Sequence, residues 1–127
     1  MAYDPPDALI AVVDDDPRIL ESLETLLQAA GYAVRLFASA TALLGTGSLE
    51  EIDCVISDIN MPVIDGLELS RLLQAAKPGL PIILITGHPE MLNRSPSVGA
   101  ANHNRLFTKP YDPEDLVAAI GNVLRKH

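Results

Sequence analysis

Short, nearly unbroken apolar runs alternate along this chain with segments whose apolar residues recur every three or four positions. The runs are Leu9–Val13, Ala33–Phe37, 54–57, 82–85 and the shorter Leu106–Thr108. With little polar alternation they predict strands covered on both faces, as in a parallel sheet wrapped by helices. Arg35 interrupts the second run, which predicts an edge strand. Between the runs lie helix patterns with recognisable ends. Asp16 is placed to cap a helix with Pro17 at its first position, and Ile19, Leu20, Leu23, Leu26 and Leu27 form one stripe that stops at Gly31. Asp112 and Pro113 repeat that start ahead of Leu116, Ala119, Ile120, Val123 and Leu124. Another helix begins near Asp65 and is expected to bury Leu69, Leu72, Leu73 and Ala76, and a short one covers Ala40–Leu44. Residues 88–104 carry Pro89, Pro96, Gly99 and several turn formers without an apolar stripe, so a regular helix is not expected there. Strands alternating with helices in this way predict an α/β domain.

The chain has 127 residues, 48% of them hydrophobic and 20% charged, which fits a single core-forming domain over residues 8–127 after a polar, Pro-rich lead-in at 1–7. No apolar run approaches the ~18 residues that cross a bilayer, and the start of the chain lacks a signal-peptide pattern, so a cytoplasmic protein without membrane contact is expected. Seventeen acidic residues against nine basic ones give a formal net charge of −8, which disfavours contact with nucleic acid through this domain. The one cysteine, Cys54, lies in an apolar stretch and reads as a small buried hydrophobe.

Parallel strands joined by right-handed crossovers gather whatever follows each strand at one sheet edge. Here that edge receives Asp14, Asp15 and Asp16 after the first strand, Asp58 after the third, Thr86 after the fourth and Lys109 after the fifth. Singly, these read as a solvated loop with a helix cap, a turn threonine and a surface lysine; their coincidence at one edge points to chemistry. Carboxylates held together repel one another unless a cation shares the site. Asp14, Asp15 and Asp58 with a nearby backbone carbonyl suit Mg²⁺, with Mn²⁺ as a substitute, whereas no His/Cys spacing suits zinc. A carboxylate beside such a cation attacks phosphorus without a general base, and Lys109 and the Thr86 hydroxyl are placed to meet the phosphoryl oxygens.

The segments Val12-Val13-Asp14-Asp15-Asp16, Ser57-Asp58-Ile59-Asn60-Met61-Pro62 with Asp65-Gly66, Ile85-Thr86-Gly87-His88 and Lys109-Pro110-Tyr111 together resemble the receiver domain of bacterial two-component response regulators, from about Leu9 to about Arg125. The Ile-Thr-Gly-His pattern is most similar to receivers of the nitrogen-fixation regulator class. The resemblance implies a doubly wound, flavodoxin-like fold whose five-stranded parallel sheet runs in the order 2-1-3-4-5, with helices on both faces. It makes Asp58 the phosphoacceptor, Asp15 a direct Mg²⁺ ligand, Asp14 a ligand largely through water and the Asn60 carbonyl a further ligand. Lys109 then binds the phosphoryl oxygens, and the Lys109–Pro110 peptide is cis.

Asn60 and His88 flank the path of an attacking water and are expected to modulate dephosphorylation. The implied partners are a sensor histidine kinase or a phosphotransfer protein, and any phosphorylation-linked homodimer is expected to use the last helix and its neighbouring strand. In the family, Thr86 moves together with an aromatic residue three positions before the lysine. That position is Leu106 here, and Phe107 beside it is expected to face the other way, because strand neighbours alternate.

Two other readings stand beside the phosphoacceptor. Leu106 and the irregular 88–104 segment suit a phosphorylation-independent interaction module that keeps the fold but not the switch. A phosphohydrolase of the haloacid dehalogenase type, with Asp58 as nucleophile, requires a second carboxylate two residues on, where this chain has Asn60.

Overall fold

The computed structural model describes residues 8–47, 49–87 and 106–125. The expectations for the lead-in at 1–7, for the 88–104 segment and for His88 lie outside the described residues. The order is β1 (Leu9–Val13), α1 (Pro17–Ala29), β2 (Ala33–Phe37), α2 (Ala40–Leu44), a single 3₁₀ turn (Leu49–Glu51), β3 (Cys54–Asp58), α3 (Gly66–Ala76), β4 (Ile82–Thr86), β5 (Leu106–Thr108) and α4 (Pro113–Arg125). All strand pairs are parallel and the sheet order is β2-β1-β3-β4-β5, so β2, the strand with Arg35, is an edge.

Alternation along the strands divides the core. On one face Ala11, Val13, Val55, Ile82 and Leu84 pack with Leu43 of α2 and Leu69 and Leu73 of α3. On the other, Ile10, Val12, Cys54, Ile56, Ile83 and Ile85 pack with Leu20, Leu23 and Leu27 of α1 and Leu116, Ile120 and Val123 of α4. The sheet is therefore covered on both sides, which explains the unbroken apolar runs of the central strands. Cys54, the one cysteine, is buried.

The helix starts follow their caps. The Asp16 side chain accepts a hydrogen bond from the Arg18 N–H, that of Asp65 from the Glu68 N–H at 2.9 Å, and that of Asp112 from the Glu114 N–H at 2.9 Å. Helix α1 ends at Ala29, and Gly31 follows with φ 98°, a conformation glycine adopts without a Cβ penalty.

Three expectations need correction. Ala76, placed on the buried stripe of α3, is exposed, and the small Ser70 is buried instead. Ala76 is the last residue of α3. Asp58 and Thr86, read as the first residues beyond their strands, are the last residues within them: Asp58 pairs with Ile85 and Thr86 with Thr108. The apolar pattern ends one residue before the ladder does.

The β3–α3 loop holds one strained residue. Val63 has φ 69° and is 96% exposed, so a β-branched side chain occupies the left-handed region with no packing to compensate. Val63→Asn, which tolerates that region better, is expected to raise stability by about 1 kcal/mol. Urea denaturation at unchanged slope checks this; an unchanged or lowered midpoint would show that the strain is absent in solution.

Candidate functional site

The sheet order carries the C-terminal ends of β1, β3, β4 and β5 to one edge, and the polar residues at those ends converge. Asp14 follows β1, where its N–H donates to the Phe37 carbonyl at 3.1 Å, and its carboxylate accepts the Asp16 N–H at 2.9 Å. It is 3% exposed, whereas Asp15 faces solvent. Asp58 ends β3 and is 8% exposed. Carboxylate oxygens of Asp14, Asp15 and Asp58 all lie within 4.8 Å of one another.

Lys109 reaches this cluster from beyond β5. Its N–H is tied to the Thr86 carbonyl at 2.8 Å, and its Nζ stands 3.7 Å from Asp58 Oδ1. That gap exceeds a charge-assisted hydrogen bond, and Oδ1 is buried without a hydrogen-bond donor. The Lys109–Pro110 peptide is cis. Thr86, fully buried, donates its hydroxyl to Asn60 Oδ1 at 3.1 Å, linking the end of β4 to the loop after Asp58.

Burial without enough compensating charge shows in the acids. Desolvation pushes the Asp14 carboxyl up to about 6, against a hydrogen bond from the Asp16 backbone that pulls it down and the Asp58 charge that adds to the rise. Asp58 is also raised, by desolvation first, with Lys109 and the backbone N–H groups of Asn60 and Ile59 opposing. Three clustered hard-oxygen donors, two of them held above their ordinary range, and an orphaned buried Oδ1 are what a divalent hard cation such as Mg²⁺ would satisfy.

Comparison with known proteins decides the family. The profile described as response regulator receiver domain matches residues 10–121. The chain belongs to the response-regulator receiver family. It is similar to response regulator protein TmoT of Ectopseudomonas mendocina, 37% identical over 94% of this chain and 54% of the relative. It is likewise similar to transcriptional regulatory protein FixJ of Bradyrhizobium diazoefficiens, 34% identical over 92% of this chain and 57% of the relative. FixJ agrees with the class suggested by the Ile-Thr-Gly-His pattern. Among solved structures, a receiver domain from Clostridium thermocellum superposes with a TM-score of 0.84 at 30% identity, covering 94% of this chain and 95% of that one. The receiver spans about half the length of the curated relatives it matches.

Leu106 and Phe107 occupy opposite faces of β5, as strand alternation requires: Leu106 packs against the cluster that holds Leu84, and Phe107 against the one that holds Ile85. Gly66 is a site-shaping residue whose structural reason is not visible in the sequence. A Cβ there would lie 2.5 Å from the Asp58 carbonyl oxygen and 2.8 Å from Ile59 Cα, so α3 starts directly against the end of β3. The only sequence signal was glycine immediately after a capping aspartate. Among the described residues, no helix is long and apolar enough to cross a membrane.

Proposed function

We propose that this receiver accepts a phosphoryl group on Asp58. One observation carries the reading: a buried, unsatisfied Asp58 Oδ1 lies 3.7 Å from Lys109 Nζ and within 4.8 Å of the Asp14 and Asp15 carboxylates. In the transfer, an Asp58 oxygen forms a bond to phosphorus while the donor's bond to phosphorus, P–N in a phosphohistidine or P–O in acetyl phosphate, breaks, and the electron pair leaves with the donor. Asp14, Asp15, Asp58 and the Asn60 carbonyl would hold Mg²⁺ or Mn²⁺. Bound there, the cation supplies positive charge against the phosphoryl oxygens.

Lys109 meets the remaining charge, and the Thr86 hydroxyl, now given to Asn60, is the donor that turns toward the phosphoryl group. With Leu106 in the position of the usual ring, Thr86 moves without an aromatic follower. Asn60 and His88 govern how readily water reaches the acyl phosphate. The chain thus performs self-catalysed transfer and slow self-hydrolysis rather than turnover of a metabolite. It works in the cytoplasm with a sensor histidine kinase or phosphotransfer protein, and a homodimer would form through α4 and β5.

Incubation with acetyl phosphate and Mg²⁺ is expected to add one phosphoryl group per chain by intact mass, and none after chelation of the metal. Asp58→Asn is expected to lower uptake by at least about 1,000-fold, since Asp58 is the carboxylate that forms the ion pair with Lys109. Undiminished uptake by this variant would place the acceptor elsewhere.

A further inference from the structure

The other end of Lys109 lines a second feature. Between α1 and residues 109–113 runs a groove of about 710 Å³, walled by Ile19, Leu23 and Leu26 on the helix side, floored by Ile85, and closed opposite by Lys109 and Tyr111. The Tyr111 ring stands edge-on to Phe107, with centroids 6.0 Å apart and planes at 78°. Both rings belong to the α1/α4 face of the sheet, opposite Leu106.

One side chain therefore touches two places. The Lys109 ammonium faces Asp58, while the same residue lines the groove and its Cδ would lie 3.8 Å from a Cβ added at Gly87, in ordinary contact range. The present Lys109–Asp58 pair is loose at 3.7 Å. A phosphoryl group brings a charge of about −1.5 to −2 and three strong acceptors, and a charge-assisted N–H···O bond closes to about 2.7–2.9 Å. The phosphoryl oxygens enter between Asp58 and the ammonium, so Lys109 exchanges the distant Oδ1 for new acceptors and its stem resettles with it. Leu106, by contrast, already packs inward against Leu84 and has no ring to turn.

We infer that the state of Asp58 is read on the α1 face: Lys109 transmits it to the Tyr111–Phe107 ring pair and so reshapes the groove beside α1. This rests on the phosphoacceptor reading of Asp58. It assigns Tyr111 a conformational role that the Asp58 chemistry itself does not need.

Three tyrosines make the test direct. The full chain is labelled with 3-fluorotyrosine, Tyr111→Phe assigns the Tyr111 resonance, and Tyr32, beyond the far end of α1, is the internal control. Mg²⁺ alone is added first, then beryllofluoride, a mimic of the phosphoryl group, while ¹⁵N amide spectra follow Ile59, Asn60 and Leu106. The expected result on adding beryllofluoride is movement of the Ile59 and Asn60 amides together with a Tyr111 fluorine shift of several linewidths, Tyr32 remaining still. Movement of Ile59 and Asn60 with Tyr111 unmoved would overturn this inference alone and leave the acceptor reading standing. No movement at Ile59, Asn60 or Tyr111 would overturn the acceptor reading and the inference with it.

Discussion

Gly66→Ala is expected to destabilise the domain by about 2–4 kcal/mol, although alanine is the better helix former. Propensity alone favours the substitution by about 1 kcal/mol in a helix interior. Sterics decide otherwise, because the added Cβ meets the Asp58 carbonyl oxygen at 2.5 Å and Ile59 Cα at 2.8 Å, both of them backbone atoms that no rotamer change moves aside. Either α3 withdraws from β3, opening the core around Leu69 and Leu73, or the Asp58–Ile59 backbone yields. The Gly66 N–H bond to the Ile59 carbonyl at 2.9 Å is strained in both cases.

The second route displaces the Asp58 carboxylate, the proposed acceptor, relative to Asp14 and Lys109, so phosphoryl uptake should fall even in the fraction that remains folded. Urea denaturation with acetyl phosphate labelling checks both effects. Gly45→Ala is the control: its Cβ would stand at an ordinary 3.4 Å from the Thr41 carbonyl oxygen, and it should shift stability by less than about 0.5 kcal/mol. A Gly66→Ala variant as stable as the parent would refute the close approach of α3 to β3.

The contrast between Gly66 and Arg35 shows where sequence reading succeeds. Arg35 breaks an apolar run, and a charge in a strand is tolerated where one side meets water, so the edge position of β2 followed from a one-dimensional pattern. The gathering of Asp14, Asp15, Asp58 and Lys109 was legible in the same way, since parallel topology alone sends all strand ends to one edge. Gly66 is different. Its close approach to β3 arises from how a helix packs onto a strand, and no periodicity records that distance.

The Thr86–Asn60 hydrogen bond was invisible for a similar reason, because it depends on the path of the loop after Asp58, where Val63 adopts a conformation its side chain disfavours. Tyr111 was legible only as part of the Lys109-Pro110-Tyr111 segment; its pairing with Phe107 needed the turn at 109–111 in three dimensions. The error at Ala76 came from extending a helical stripe to the last residue of its helix, which is exposed.

Asp14→Asn is expected to make the metal-free domain more stable and at the same time worse at binding Mg²⁺. In the fold, burial holds the Asp14 carboxyl at about 6, above its ordinary 3.8. Ionising it therefore disfavours the folded state. That penalty is fully present above the folded value, declines as pH falls through about 6, and is gone below the unfolded value. At neutral pH it is on the order of 3 kcal/mol, and lowering pH from 7 to 5 should recover about 1 kcal/mol.

Asp58 is raised in the same sense, while the half-buried Asp16 and the exposed Glu68 are lowered, so their contributions are lost only at more acidic pH, outside this window. The asparagine amide oxygen still accepts the Asp16 N–H but carries no charge. The variant should gain about 1–2 kcal/mol at pH 7 and show a flatter stability profile between pH 7 and 5. Mg²⁺ should stabilise the parent by mass action and the variant much less, with affinity about 10–100-fold weaker. Denaturation at both pH values, with and without Mg²⁺, separates the effects. A destabilised variant with the parent's pH slope would mean that Asp14 is not a desolvated carboxylate, and equal Mg²⁺ stabilisation of both chains would remove it from the metal site. If both effects appear together, the instability of the empty acidic pocket and its capacity for a cation have the same origin: negative charge gathered at a sheet edge before its counter-charge arrives.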